Sequence, residues 1–196
     1  NSFLDGLWVQ NDKTSGTTYG IYQTASNTGS STVFGVRAYA GSGSGTRYGV
    51  YGSTGGSGTR YGLYCSGNGA YTGSWSNVSD MNLKKNIRNY DNALSKVVQL
   101  EPKRYEYKTD EKPYMDLSQG DQIGLIAQEV QTLFPEVVTQ NVHPGPNDEN
   151  GRPLGQEESY LGIDYIKLVP ILTQAIKEQQ ALIEQLQIEV EILKSK

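Results

Sequence analysis

The sequence is poor in the residues that metal and thiol chemistry need. Its 196 residues include one cysteine and one histidine, too few for a CxxC site, a Cys/His zinc cluster or a disulfide framework. No metal and no cofactor are therefore expected. An excess of one charge is missing too. Seventeen Lys and Arg stand against 21 Asp and Glu, and the basic surplus of a nucleic-acid binder is absent. No apolar run approaches the roughly 18 residues that would span a bilayer, and the first residues lack the basic and apolar regions of a secretory signal. The expectation is a soluble chain without nucleic acid or membrane as partner, read as a fragment of something longer.

What is present is unevenly spread. Of 23 glycines, 17 fall in residues 1–78, whereas all seven prolines lie after residue 100. Only six charged residues precede Ser79, so the first 78 residues carry a net +2 and the rest −6. Two differently built regions follow, 1–78 and 79–196.

The first region repeats itself. Tyr19-Gly20-Ile21, Phe34-Gly35-Val36, Tyr48-Gly49-Val50 and Tyr61-Gly62-Leu63 share an aromatic-Gly-aliphatic pattern, with glycines 15, 14 and 13 residues apart. Each triplet sits in a short β-prone run followed by a Gly/Ser/Thr stretch of turn composition. A strand of four or five residues cannot bury a face alone. The pattern predicts a fibre stem in which identical chains wind together, with the triplet glycine admitting a close backbone approach. A Gly/Ser linker is the rival reading of this composition, and eight regularly spaced tyrosines weigh against it. Cys65 reads as a small buried filler in the last strand.

From Ser79 the pattern is that of a small α+β domain over 79–160 and a C-terminal helix over 161–196. Asp91 or Asn92 is expected to cap a short helix with Leu94, Val97 and Val98 on one face. Strands are expected at Arg104–Tyr107, Gln122–Ile126 and Val137–Gln140, and a helix at Ala127–Leu133 that Pro135 stops. Residues 141–157 hold three prolines and three glycines and read as a loop, with His143 a solvated member of it.

The last segment carries a heptad seam. Leu172, Ile176, Gln179, Ile183, Leu186, Val190 and Leu193 are separated by alternating gaps of four and three, the a/d spacing of a coiled coil. Asp164 is placed to cap that helix, and Pro170 lies near its first turn or kinks it. The a/d residues lean toward two strands, while Leu182 at a g position widens the face toward three. A single helix packed on its own domain is the alternative.

Where the stem stops, the sequence reads Ser79-Asp80-Met81-Asn82-Leu83-Lys84-Lys85-Asn86-Ile87. This stretch resembles the SDxxLKxxI signature of the endosialidase-type C-terminal intramolecular chaperone. That family comprises self-cleaving serine peptidase domains at the ends of phage tailspikes, tail fibres and neck appendages, and also inside myelin regulatory factor. LSKVVQLEPKRYEY (94–107), GLIAQEVQTLFPEVV (124–138) and YIKLVPILTQAIKE (165–178) resemble its later blocks in order. The resemblance implies a homotrimer that helps preceding fibre segments of the same polypeptide to assemble and then cuts Val78-Ser79. Ser79 would be the nucleophile and Lys84 its general base, with Asp80, Leu83 and Ile87 supporting the motif. It also implies a virion location, the chain being made in the bacterial cytoplasm. A serine hydroxyl attacks only when a base takes its proton, and lysine serves only when neutral. Five residues are about 140° of a helix and an odd number along a strand, so neither regular element puts Ser79 and Lys84 on one face. The backbone must bend between them, or Lys84 must come from a neighbouring chain. Two rivals remain: a trimerisation cap that does not cut, and a fibre tip whose tyrosines recognise a glycan on a host surface receptor.

Overall fold

The computed structural model describes residues 20–196 apart from 22, 24, 27, 42–43, 150–151 and 153. Two compact units are present: one draws on the described residues of 1–64 and 144–157, the other is 65–143 with 158–196.

No strand forms among the described residues between Gly20 and Val78. Most of their side chains are exposed, including Phe34, Tyr48, Tyr51 and Leu63 from the repeat. The β stem expected of 1–78 is thus not formed within one chain among the described residues, because a four-residue run has no ladder without a neighbour. Its first aromatic, Tyr19, lies outside the described residues. Two features of the repeat are visible. The tyrosines three apart in YGVY and YGLY pair their rings, Tyr48 with Tyr51 at 5.9 Å and Tyr61 with Tyr64 at 5.2 Å between centroids. At Gly52 a β-carbon would lie 2.4 Å from the Gly62 carbonyl oxygen, so the backbones meet where only glycine fits. Cys65 is free and exposed, contrary to its reading as a buried filler, because no strand layer encloses it.

The second unit holds the regular structure. Its elements are α1 (Leu94–Val97), β1 (Lys103–Tyr105), β2 (Gln122–Gly124), α2 (Ala127–Leu133), β3 (Val138–His143), β4 (Glu158–Ile163) and α3 (Tyr165–Lys194). The mixed α+β part and the long final helix match the expected class. α2 has the bounds read from its periodicity. It ends where Pro135, without an N–H to continue the helix, opens a 3-10 turn over Pro135–Val137. β1 and β2 are antiparallel, Lys103 opposite Gly124; β3 and β4 are likewise, Val138 opposite Ile163 and His143 opposite Glu158. All three expected strands shift in their bounds, and β3 runs three residues further than read because β4 offers a partner.

That extension overturns the reading of His143. It is 4% exposed at the end of β3, with its ring 5.6 Å from that of Tyr114. Beside it Glu158 accepts from Lys112 at 2.9 Å and from the Tyr114 hydroxyl. Hydrogen bonding to Lys112 is the main reason the Glu158 carboxyl lies below its ordinary range.

The core gathers Ala93, Val130, Phe134, Val137, Leu168, Ile171 and Ala175. Val130, Phe134 and Val137 come from α2 and the turn after it, and Leu168, Ile171 and Ala175 from one stripe of α3. Lys96 stacks its ammonium 5.5 Å from the Phe134 ring centroid. Leu94 and Val97 pack on this cluster, but Val98 is 69% exposed. The expected three-residue face of α1 is two residues wide, since the helix stops after a single turn.

Candidate active site

The junction after Val78 is held by a single 3-10 turn. Asp80, in extended conformation, begins it, and its carboxylate accepts the Asn82 N–H at 2.8 Å. Leu83 N–H then donates to the Asp80 carbonyl and Lys84 N–H to the Met81 carbonyl, both at 3.1 Å. A 3-10 turn advances about 120° per residue, so the chain reverses quickly over Met81–Leu83. This is the first of the two arrangements that the five-residue spacing allowed, a bend between the two residues. Lys84 Nζ donates to Ser79 Oγ at 2.8 Å within one chain. The contact places the two residues of the motif in hydrogen-bonding reach, the geometry that proton transfer between them needs.

The surroundings are open. Val78, Met81, Leu83 and Ile87 flank the pair and are 65 to 79% exposed, and the turn has no buried residue. Folding of this chain alone leaves these four large apolar side chains, close to the pair in sequence, uncovered.

Beyond the turn the chain is tied back at two points. Asn86 and Asn92 have φ of 56° and 60°, left-handed positions that asparagine tolerates better than most residues. Between them the Tyr90 hydroxyl donates to Glu136 at 3.3 Å; burial first, and the Glu136 carboxylate second, push the phenol above its ordinary value. After Asn92 the start of α1 is satisfied from a distance. Glu178 of α3 accepts the Ala93 N–H at 3.2 Å and the Leu94 N–H at 2.8 Å, and Gln174 donates to the same carboxylate at 3.0 Å. Asp91 and Asn92 make no side-chain cap; Ala93 is the cap residue, and Asn92 in the left-handed region cannot present its side chain as a cap would. The backbone bond from Leu94 is the first cause that lowers the Glu178 carboxyl. Sequence inspection missed this clip. Its signal is a carboxylate that continues the Leu168, Ile171, Ala175 stripe at the next position.

The seam residues run along α3 from Leu172 to Leu193. Asp164 caps it, accepting the Lys167 N–H, and Pro170 is inside the helix, where it forgoes one backbone bond. Leu172, Ile176, Gln179, Ile183, Leu186, Val190 and Leu193 are all exposed, so the a/d face is formed but uncovered. Among the described residues no three His, Cys, Asp or Glu side chains are grouped to hold a metal ion. No helix among them is long and apolar enough to cross a membrane.

Residues 79–139 match the family described as chaperone of endosialidase, which bears out the resemblance read from SDMNLKKNI and the blocks to Val138. No curated protein matches the chain.

Proposed function

We propose, on the premise that residues 79–139 form a chaperone-of-endosialidase segment, that this chain belongs to a homotrimeric phage or prophage tail fibre. In this reading residues 79–196 bring three chains together, guide the preceding segments of the same polypeptide into their wound form, and then release them by cutting Val78-Ser79. The observation that carries it is the 2.8 Å contact of Lys84 Nζ with Ser79 Oγ.

The cut lies on the N-terminal side of the nucleophile, so the hydroxyl attacks the carbonyl of its own peptide bond. Neutral Lys84 takes the Oγ proton as Oγ bonds to the Val78 carbonyl carbon, and the carbonyl electron pair moves onto oxygen. Collapse of this adduct breaks the bond to the Ser79 nitrogen, which receives the proton back from Lys84. The product is an ester between the Val78 acyl group and Ser79 Oγ. Water then gives a Val78 carboxylate, the free Ser79 hydroxyl and a new α-amino terminus, with no cofactor involved.

Assembly supplies what the single chain lacks. The a/d face of α3 supports a parallel bundle, and in a bundle the exposed Val78, Met81, Leu83 and Ile87 gain neighbours. Covering them excludes water from the pair and favours the uncharged amine, which ties the cut to completed assembly. Intact mass of freshly purified protein tests the reading, with fragments of 78 and 118 residues expected from the 196-residue chain. The exposure of the dyad favours one second reading, a cap of the same fold that assembles without cutting; it predicts that the mass stays whole in the assembled protein.

A further inference from the structure

We infer that Asp80 is a positioning residue for the Ser79–Lys84 pair, acting through the Asn82 N–H and not through its charge. The inference rests on the cut proposed above. A three-residue 3-10 turn is marginal by itself, and this one has no apolar anchor: Met81 and Leu83 are exposed and none of its residues is buried. Its shape depends on three polar closures. Two are backbone bonds, Leu83 N–H to Asp80 O and Lys84 N–H to Met81 O. The third is the side-chain bond from Asp80 Oδ1 to the Asn82 N–H at 2.8 Å. Lys84 is the residue on which the turn closes, so a turn that opens carries the amine away from Ser79 Oγ. Asp80 thus stands between nucleophile and base in sequence and sets their approach without touching the scissile bond.

The role distinguishes a cap from a charge. Asparagine and serine cap turns about as well as aspartate, whereas alanine does not. Asp80→Ala should slow the cut by roughly 3- to 30-fold, the range that losing one side-chain cap imposes on a local equilibrium. Asp80→Asn and Asp80→Ser should stay within about threefold of the parent, with the same dependence of rate on pH. Light scattering should give all variants the parent's assembly state. Independently of any cut, hydrogen exchange at the Asn82 amide in Ser79→Ala protein should quicken with Asp80→Ala and not with Asp80→Asn. An Ala variant with parental rate and parental Asn82 exchange overturns the inference, as does an Asn variant as slow as Ala or with a displaced pH profile. A parent that never cuts defeats the proposed function instead, and the Asn82 exchange still decides whether Asp80 holds the turn.

Discussion

The two ends of α3 carry the same kind of apolar spacing and meet different fates. From Tyr165 to Glu178 the stripe Leu168, Ile171, Ala175 is buried against α1 and the 3-10 turn after α2, in one cluster with Val130 and Phe134, and Glu178 closes that stripe by holding the start of α1. From Gln179 to Lys194 no residue is buried, although Ile183, Leu186, Val190 and Leu193 continue an unbroken a/d seam. Over roughly 45 Å of helix, only the first half has a partner in its own chain. A periodic pattern states which face wants covering; the neighbouring chain segments decide what covers it. The same holds among the described residues before Ser79, where β-prone runs have no ladder to join.

The largest effect is expected from placing charge on the uncovered half of α3. Ile183→Asp with Leu186→Asp should abolish assembly by burying unpaired charge in the seam. It should leave the unfolding of the second unit unchanged, because both side chains are already exposed within one chain. Phe134→Ala, by contrast, should cost the unit about 3–5 kcal/mol by opening a cavity under α3. Light scattering after size exclusion and urea unfolding read the two effects separately. A double-Asp variant that still assembles would remove the seam from the account.

Lys84→Arg comes next, since guanidinium stays protonated and cannot accept the Ser79 proton. The expected result is assembled, uncut protein, while the parent's rate should rise with pH and then level off. An active Arg variant would exclude Lys84 as the base.

Glu178 stands where the two halves of α3 meet. Its folded carboxyl is held below the ordinary value, chiefly by the Leu94 N–H. The unfolded chain therefore binds a proton at higher pH than the folded one, and the stabilisation is fully present above the ordinary glutamate range. It is lost as pH falls through the depressed value. Urea midpoints should accordingly drop on acidification, and Glu178→Gln should lower the neutral-pH midpoint and flatten that drop. An unchanged pH profile in the variant would mean that the clip contributes nothing. The smallest effect belongs to Val98→Ser, within about 0.5 kcal/mol of the parent, because Val98 is 69% exposed; a larger loss would restore the three-residue face expected of α1.

Much of the second unit was legible in the sequence, and for local reasons. The bounds of α2 follow from its periodicity and Pro135, and the Asp164 cap from its side chain. The spacing of Ser79 and Lys84 left a bend or a neighbouring chain's lysine, and within one chain the 3-10 turn supplies the bend. What escaped reading depends on residues distant in the chain. β3 lengthens, and His143 becomes buried, because β4 pairs with it from fifteen residues on. The start of α1 is satisfied by Glu178, 84 positions away, which no local capping rule can find.

We propose that Ser79 cuts the bond before it once chains assemble. Timed intact mass of freshly purified parent and Ser79→Ala protein tests this most directly. The parent should convert from 196 residues to fragments of 78 and 118, the larger beginning at Ser79, while the Ala variant stays whole. A parent that remains at full mass after assembly, or an Ala variant cut at the same bond, would contradict it.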